Sequence, residues 1–419
     1  MTLDSLAVPI GVRTPAPAGG HGSCCGPMRV SWPDARRSAY AAVRPLPPLD
    51  LPLAEAEGGT LAGPMRAGTP LPGFDCAAID GYAVPTVDGP WQVVGRALAG
   101  PATDRPPLRA GTAVEIATGA AVPPGTVAVL PYEQAERDGD RVTGRARAGK
   151  HVRRSGEDVP LGTDLVPAGS PVTPAVIGLA AAVGLDTLTV RPGPVAALLI
   201  TGDELVQAGG SHRGLVRDAL GPALPGWVRG LGGRLLPPPR LGDTDSADVA
   251  AAIAAAPGDL VLTCGGAGGG PKDLVMPALR SLGARVLVDR VDCRPGGPQR
   301  LAVLPDGRPV VVLPGYPYAA LVAVLTTLGP LLAGLTGRGL PEPPTAELAG
   351  GAPELGHRPG GTPTGTTRIL PVRRCPDGRV ETVGLDRPGS LWGAALADAF
   401  AVVPPDWTGE PVALLSPPC

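Results

Sequence analysis

The chain has 419 residues, of which 43% are hydrophobic, and a formal net charge of −2 at pH 7. This size and apolar content predict a protein of about two to four domains with buried cores, and the balanced charge gives no electrostatic footprint for nucleic acid or an anionic membrane. Glycine and proline number 62 and 55. Because they fall between apolar segments, they indicate a loop-rich globular protein rather than a disordered one.

The cysteines and apolar segments bear on location. The seven cysteines form neither a disulfide framework nor a paired CxxC zinc motif, which predicts a reducing, cytoplasmic location. The opening MTLDSLAVPIGVRTP lacks the basic region and apolar core of a signal peptide. The most apolar long window, 171–190, contains Pro174, Gly184 and Asp186 and therefore predicts a buried helix with its stop signal, not a membrane span.

The N-terminal half begins with a segment of no periodicity. Residues 1–28 are rich in glycine and proline and predict a flexible tail. In this tail His21, Cys24 and Cys25 could hold a soft metal, although three such residues in a glycine-rich tail more often bind none. From residue 30, VSWPDARRSAYAAV has helical spacing and ends at the proline-rich RPLPPLDLPL.

Two modules are predicted before residue 191. Short alternating runs such as WQVVGRALAG and GTAVEIATG, separated by turn residues, predict an inserted β domain at 65–148. The flanking segments, 29–64 and 149–190, predict a discontinuous linker domain of mixed structure, which includes the helical PAVIGLAAAVGL. The chain is thus expected to begin the linker domain, form the inserted β domain and then complete the linker domain.

Strand and helix patterns alternate after residue 191. Predicted strands are PVAALLI, RLLPPPRL, DLVLTCGG and RPVVVLPG; predicted helices are GLVRDALGPALPGWVRGLGG, DTDSADVAAAIAAAPG, KDLVMPALRSLG and YAALVAVLTTLGPLLAGL. This alternation predicts an α/β domain at 191–338 whose parallel sheet is covered on both faces. RILPVRRC, GRVETVGL, FAVVPP and EPVALLS predict a C-terminal β domain at 339–419. The predicted fold class is multidomain α/β.

The segment GGAGGGPKD lies between the strand DLVLTC and a predicted helix. Glycines let backbone N–H groups approach a phosphate closely, and a helix N-terminus adds a positive dipole. An anion-binding loop and a plain turn are equally good interpretations. The spacing matches neither GxxxxGK[ST] nor a dinucleotide fingerprint, so neither an ATPase nor a dehydrogenase is indicated.

Carboxylates follow three of the predicted strands. Asp203 and Glu204 follow PVAALLI, Asp243 and Asp245 follow RLLPPPRL, and Asp273 follows the glycine segment. Ligands of open α/β sheets bind at the carboxyl ends of strands, so these acids could share a metal ion such as Mg²⁺. Each could equally be an independent helix cap.

Six segments occur in the order LPGFDCAAIDGYAV, EIATGAAVPPGTVAVLPYE, VRRSGEDVPLG, LLITGDELV, GGAGGGPKD and LPGYPYAAL. In order and spacing they resemble the molybdopterin molybdenumtransferases, relatives of the E domain of gephyrin, from about residue 29 to the C-terminus. The resemblance implies an elongated four-domain homodimer whose parallel-sheet domain is the molybdopterin-binding domain. It also implies a reaction in which adenylylated molybdopterin, molybdate and Mg²⁺ give molybdenum insertion and release of AMP.

The resemblance assigns roles to particular residues. Catalytic roles are implied for Asp80, Thr118, Asp158, Glu204, Asp243 and Asp273. Of these, Glu204, Asp243 and Asp273 would hold Mg²⁺, and Asp80 and Thr118 would reach the site from the inserted β domain of the facing subunit. Pterin-substrate contacts are implied for Gly265, Gly266, Gly268, Gly270, Lys272, Arg294, Pro314 and Pro317. Other enzymes of the molybdenum cofactor pathway are implied partners.

The chain departs from the family pattern at several positions. Ala219 and Leu220 replace a Ser-Asn pair, Gly268 a serine, Tyr316 an asparagine and Val127 an acid, while Arg294 and Gly297 replace two lysines. The departures favour a second interpretation, a catalytically weakened paralogue that binds molybdopterin or a partner as a scaffold. GGAGGGPKD also resembles the GGTGxxPRD loop of molybdopterin adenylyltransferases, but the inserted β domain argues against an ATP-using activity.

Overall fold

The computed structural model of the chain describes residues 29–101, 106–237, 240–241, 245–270, 272–350 and 366–418. The predicted flexible tail at 1–28, with His21, Cys24 and Cys25, lies outside these residues, and so does Asp243. What the sequence suggests for those residues stays a prediction.

The described residues form eight α-helices and thirty strands, most of them short. Helices α1 to α8 are, in chain order, Trp32–Ala41, Pro174–Ala182, Leu220–Gly230, Ser246–Ala255, Val275–Ser281, Pro317–Ala323, Gly329–Thr336 and Trp392–Leu396. Strands β1 to β14 are Arg29–Val30, Leu49–Pro52, Thr60–Leu61, Met65–Arg66, Cys76–Ala77, Gly81–Val84, Trp91–Ala97, Thr112–Ile116, Ala128–Pro131, Ala135–Asp138, Arg141–Gly144, Val152–Arg153, Asp164–Val166 and Thr187–Arg191. Strands β15 to β30 are Val195–Thr201, Leu205–Val206, Val216–Arg217, Arg234–Leu235, Arg240–Leu241, Leu260–Cys264, Arg285–Val288, Arg290–Val291, Cys293–Arg294, Arg300–Val303, Pro309–Leu313, Thr345–Ala346, Thr367–Arg374, Val380–Thr382, Ala399–Val403 and Val412–Leu415.

The chain divides into two compact units. The first unit comprises Met1–Leu49, Gly58–Ala62 and Val190–Cys419, and the second comprises Asp50–Glu57 and Gly63–Thr189. The segment predicted as an inserted β domain, 65–148, falls within the second unit. The finer division into five segments stays a prediction.

The second unit is built on a six-stranded sheet in the order β10-β11-β7-β8-β6-β9. Its strands alternate between two small cores, so that in β6 Tyr82 and Val84 face one core and Ala83 faces the other. The helix α2 forms where predicted, but the expectation that it is buried is wrong, because only Ala180 of its residues is buried. An apolar sequence with helical spacing predicts that a helix forms, but it does not show which other part of the protein covers that helix.

The first unit is built on a seven-stranded sheet in the order β18-β15-β20-β25-β24-β21, with β19 also beside β15. The pairings of β15 with β18, β19 and β20, and of β20 with β25, are parallel as predicted. The pairings of β24 with β25 and of β21 with β24 are antiparallel, which the sequence analysis missed. The physical reason is the tight turn between β24 and β25, where the Leu304 N–H donates to the Arg308 carbonyl at 2.9 Å, since a short hairpin joins only antiparallel strands.

Both faces of this sheet are buried, as a parallel sheet requires. Alternate residues of β15, such as Leu198 and Leu199, contribute to two separate cores. Helices α1, α3 and α6 pack on the first face, and α4 and α5 pack on the second. The predicted helix starting at residue 214 begins later, at Leu220, because β17 occupies part of that segment.

One long apolar helix crosses the first core. It runs through α6, a π-helical turn at Val324–Leu328, and α7, and it ends at Gly337 with a φ of 72°. By length and composition Pro317–Thr336 could span a membrane, but 94% of its most apolar window is buried inside the protein. It is the central core helix of this unit.

The C-terminal segment forms a sheet in the order β23-β27-β29-β30-β26, with β28 beside β27. The predicted β strands are confirmed, and the short helix α8 within them was not predicted. Strand β23, from the preceding α/β segment, pairs in parallel with β27 and so places Arg294 beside Arg368.

We expect Leu262→Ala to lower the free energy of unfolding by about 2–5 kcal/mol, because the Leu262 side chain in the central strand β20 is fully buried and its removal leaves a cavity. Urea denaturation followed by tryptophan fluorescence measures the change. The control Leu385→Ala, at a side chain 43% exposed in the same unit, should change stability by less than about 0.5 kcal/mol. Equal losses in the two variants would contradict this account of the core.

Candidate functional site

Three loops meet at the carboxyl ends of β15, β20 and β25. The Gly265 N–H donates to the Leu313 carbonyl at 3.3 Å, and an added Cβ at Gly315 would lie 3.7 Å from the Gly265 Cα. The Lys272 ammonium lies 3.6 Å from the Asp203 carboxylate, which joins the loop after β20 to the loop after β15. Neighbouring parallel strands end at one edge of the sheet, so the predicted meeting of these loops follows from the strand order.

The first two glycines of the loop after β20 are required by close packing. Gly265 has a φ of 97°, and a Cβ there would lie 2.7 Å from the Thr201 hydroxyl oxygen. A Cβ at Gly266 would lie 2.9 Å from a methyl group of Val275. By contrast, a Cβ at Gly268 or Gly270 would meet nothing within 4 Å. The loop therefore packs tightly at its start and faces open space in its middle.

Asp273 closes this loop. Its carboxylate accepts hydrogen bonds from the Gly269 N–H at 2.9 Å and from the Met276 N–H at 3.5 Å. The same carboxylate lies 3.7 Å from the guanidinium of Arg300, and its side chain is only 7% exposed. Asp273 thus has the helix-capping contacts that were one of its two predicted roles, and α5 begins only at Val275.

Glu204 follows β15 at its carboxyl end. It is exposed, and its carboxylate lies against Gly202, whose added Cβ would be 2.8 Å from Oε2. Gly202 has a φ of 138°, which lets the chain turn directly after β15. Asp245, in contrast, caps α4 by accepting from two backbone N–H groups at 2.8 Å.

The carboxylates at the strand ends fit Mg²⁺ only in part. Within the described part of the chain, no three His, Cys, Asp or Glu side chains come together as a metal-binding group. Mg²⁺ commonly uses only one or two carboxylates and completes its shell with water and substrate phosphates. The exposed carboxylate of Glu204 fits that mode, and the contacts of Asp273 leave it less available.

Two arginines lie side by side on the paired strands β23 and β27. Arg294 is exposed and lies in register with Arg368 across the β23–β27 pair. Arg368 Nη2 donates to Asp386 at 2.5 Å, and its buried Nη1 has no hydrogen-bond partner among the described residues. Sequence reasoning missed Arg368, because only the β23–β27 pairing brings it beside Arg294.

The segment that follows β25 is held by the C-terminal domain. The carbonyl of Pro388 accepts from the N–H groups of Tyr318 and Ala319, at 2.8 and 3.2 Å. These are the first N–H groups of α6, which begins at Pro317. Pro314 and Pro317 therefore shape a helix start whose leading donors already have a protein partner.

In the second unit, Asp80 and Thr118 come together. The Thr118 N–H donates to Asp80 Oδ1 at 2.9 Å, which joins the start of β6 to the turn after β8. Asp158, the other predicted residue of this unit, forms an ion pair with Arg153. Both carboxylates have defined partners within their own unit.

A polar network that sequence reasoning missed lies beside Asp80. Glu115 accepts from the Tyr132 hydroxyl at 2.9 Å and from the guanidinium groups of Arg96 and Arg137. Burial and the bond to Glu115 raise the pKa of Tyr132 to about 12. Burial acts to raise the pKa of Glu115, but its three donors outweigh this and lower it, so at neutral pH Tyr132 is a neutral donor and Glu115 an anion.

The buried thiols are not nucleophiles. Burial raises the pKa of both Cys264 and Cys293 to about 12, so both stay protonated at neutral pH. Neither thiol therefore offers a thiolate nucleophile at neutral pH.

Comparison with known proteins decides the family. Residues 30–184 match the family "MoeA N-terminal region (domain I and II)", and residues 197–334 match "Probable molybdopterin binding domain". The chain is 37% identical to "Molybdopterin molybdenumtransferase 2" of Mycobacterium tuberculosis, over 71% of this chain and 76% of that protein. It is 32% identical to the "Molybdopterin molybdenumtransferase" of Synechococcus elongatus, over 70% of this chain and 77% of that protein. The chain belongs to the molybdopterin molybdenumtransferase family.

The fold agrees with this assignment. A crystal structure of a molybdopterin biosynthesis moea protein from Pyrococcus horikosii matches with a TM-score of 0.72 at 26% identity, covering 93% of this chain and 99% of that chain. The resemblance drawn from the six motifs and the predicted multidomain α/β fold are confirmed. As a molybdopterin molybdenumtransferase family member, the chain is a transferase with a role in molybdenum cofactor biosynthesis.

Two departures from the family pattern have structural counterparts. At Ala219 and Leu220, where the resemblance expects a Ser-Asn pair, the Asp218 carboxylate accepts from the Leu220 and Gly221 N–H groups at 3.0 and 2.9 Å at the start of α3. At the lost second lysine, a Cβ on Gly297 would lie 3.1 Å from the Cys293 carbonyl oxygen. The backbone around Gly297 is thus fitted to glycine.

We expect Gly265→Ala to destabilise this molybdopterin molybdenumtransferase family member by about 1–3 kcal/mol, because it combines an unfavourable φ with contact against Thr201. Gly268→Ala, in the same loop, has open space around its new methyl group and should change stability by less than about 0.5 kcal/mol. Thermal unfolding of both variants checks the difference. A Gly268→Ala variant as unstable as Gly265→Ala would contradict the open geometry of the loop.

Proposed function

We propose that this protein inserts molybdenum from molybdate into adenylylated molybdopterin, with hydrolysis of the adenylyl phosphoanhydride and release of AMP. The observation that carries the proposal is the loop 265–270, which packs tightly at Gly265 against Thr201 and is open at Gly268 and Gly270. Glycines without side chains let backbone groups approach a phosphate closely. The matching molybdopterin-binding domain spans this loop.

The charges around the loop suit an anionic substrate. Arg294 and Arg368 lie in register on neighbouring strands, and guanidinium binds oxyanions such as molybdate or phosphate through paired hydrogen bonds. Lys272 adds a cation that its neighbour Asp203 offsets in part. Because both side chains of the Lys272–Asp203 pair are exposed, their ion pair contributes little stability to the free protein, and a substrate phosphate can compete for the lysine.

Magnesium belongs to this proposal. The sequence predicts Glu204, Asp243 and Asp273 as the Mg²⁺ ligands; of the two described ones, the exposed Glu204 fits the role better than Asp273, and substrate oxygens would complete the shell. When bound, the ion would neutralise charge on the phosphoanhydride. Water would then attack the adenylyl phosphorus and the bond from that phosphorus to the bridging oxygen would break, so that AMP carries the water oxygen, molybdopterin phosphate leaves with the bridging oxygen, and a proton is released. The protein's own part is positioning and electrostatic stabilisation, because phosphoryl transfer needs little covalent chemistry from side chains.

We further propose the assembly and setting that the resemblance implies. The active form would be a homodimer in which the partner subunit's Asp80 and the partner subunit's Thr118 complete the rim. A cytoplasmic location is supported by the four described cysteines, Cys76, Cys264, Cys293 and Cys375, which are all free thiols. Other enzymes of the pathway would supply the adenylylated substrate and accept the product. The five-segment domain division is part of the same proposal.

The alternative function is a weakened paralogue that binds molybdopterin as a scaffold. Gly297 favours it, because the family lysine is absent and the carbonyls of Val291 and Cys293 crowd that position at 3.2 and 3.1 Å. Such a protein would bind the pterin without releasing AMP.

Incubation of the purified protein with adenylylated molybdopterin, molybdate and Mg²⁺ should release AMP, measured by chromatography, and chelation of Mg²⁺ should stop the release. Glu204→Gln should slow the reaction by about 100-fold or more, because it removes a charge at the predicted metal position. The control Glu381→Gln changes an exposed acid on β28 and should leave the rate unchanged. Tight pterin binding without AMP release in the unmodified protein would support the scaffold instead.

Gly297 offers a second test. We expect Gly297→Ala and Gly297→Lys to be destabilised alike, since both add the crowded Cβ. The lysine variant should nevertheless bind molybdate about 3- to 10-fold more tightly than the alanine variant, because it restores a cation beside Arg294. Isothermal titration of both variants measures this ratio. Equal molybdate affinities would show that charge at residue 297 does not limit binding.

A further inference from the structure

Arg300, the first residue of β24, is a buried cation that the sequence analysis did not use. Its side chain is only 8% exposed. Nη1 donates to the Ala267 carbonyl at 2.7 Å, and Nε donates to Asp289 Oδ1 at 2.8 Å. Nη1 also lies 3.7 Å from Asp273 Oδ2. The guanidinium thus contacts one backbone carbonyl and two carboxylates from three different parts of the first unit.

These contacts explain how the charge can be buried. An unpaired guanidinium in the protein interior is strongly unfavourable, whereas one matched to carboxylates and a carbonyl is satisfied. The planar guanidinium offers its donors in fixed directions, which a lysine ammonium does not reproduce. Removing Arg300 would leave Asp273 and Asp289 without their cation, so the effect should reach both side chains.

The two loop contacts of Arg300 bracket the open glycines. Ala267 precedes Gly268, and Asp273 follows Gly270 and in turn accepts from the Gly269 N–H. Glycines lose more conformational freedom on ordering than any other residue, and Gly268, Gly269 and Gly270 have no side chains to pack. An ordered loop therefore needs an anchor from outside, and Arg300 contacts it at both ends.

We infer that Arg300 is a positioning residue that holds the segment 267–273 in the conformation that presents its backbone to a substrate phosphate. The inference rests on the proposed function for the nature of the ligand. A loop ordered before binding gives tighter binding, because the ligand does not have to order it.

The adjacent residue holds a second loop from the same place. Gln299 is fully buried, and its Nε2 donates to the Gly296 carbonyl at 3.0 Å, while its carbonyl oxygen accepts from the Thr327 hydroxyl. Gln299 thus fixes the turn that follows Arg294. Two consecutive residues at the start of β24 thus hold two loops: Gln299 holds the turn after Arg294, and Arg300 holds the glycine loop. This arrangement supports the positioning role of Arg300.

Hydrogen exchange and AMP binding test the inference. Arg300→Met should raise the rate of amide exchange in peptides covering 265–273 by about 10- to 100-fold, since charge-assisted hydrogen bonds are lost. It should also lower the affinity for AMP, titrated without metal, by about tenfold or more. Arg300→Lys should recover part of both effects. If Arg300→Met does not fold, Arg300→Lys and Asp289→Asn provide the same two measurements, and unchanged values in them would overturn the inference.

Arg308→Met is the matched control. Arg308 lies in the turn at the other end of β24. It also pairs with an aspartate, Asp306 at 2.7 Å, and it donates to the carbonyls of Ala254 and Ala256 at the end of α4. It should leave exchange at 265–273 and the AMP affinity unchanged. The inference is overturned if Arg300→Met exchanges and binds like the unmodified protein, or if Arg308→Met has the same effects.

The outcome can be separated from that of the proposed function. If the unmodified protein binds AMP but releases none from adenylylated molybdopterin, the proposed reaction fails. Hydrogen exchange at 265–273 and AMP affinity would still test the positioning role of Arg300. If AMP is released normally and exchange at 265–273 does not depend on Arg300, the reaction stands and the positioning role is wrong.

Discussion

The parallel alignment of β15, β20 and β25 is the constraint on which the rest of the site depends. Each strand is buried on both faces, so none can shift its register without exposing apolar side chains. Their carboxyl ends therefore lie at one edge, and the loops that follow must share a small space. Gly265 is fitted between Thr201 and Gly315 for this reason, and the tight start of the loop leaves its later glycines exposed to the ligand side.

Local patterns in the sequence were sufficient for the elements that this constraint involves. The long apolar strands and the helices between them follow from hydrophobic period, capping and glycine stops, and the motif order identified the family. The antiparallel β21 and β24 were missed because RVLV and RLAV lie in a segment with no helix between them, where alternation gives no direction. The exposure of α2 was missed because composition does not specify which surface is covered.

The site was predictable only as far as its residues are contiguous in sequence. The glycine loop and its closing Asp273 form one short segment, so both could be proposed directly. Arg300, Arg368 and Pro388 contact residues far away in the chain. Arg300 donates to the Ala267 carbonyl, Arg368 lies beside Arg294 through a strand pairing, and Pro388 accepts from the start of α6. Such contacts depend on tertiary structure. Asp273 itself has contacts that fit its capping role, and its metal role is a separate proposal.

The departures from the family pattern follow a common physical logic. The resemblance expects serine at 268 and lysine at 297, where this chain has glycine, so recognition in the proposed site would depend more on backbone groups. Backbone recognition is effective only if the backbone is held in place, because a mobile glycine segment loses its entropy on binding. The buried guanidinium of Arg300, held between Asp273 and Asp289, provides that restraint. A loop with few side-chain donors and a backbone anchored from inside is therefore compatible with the proposed phosphate site.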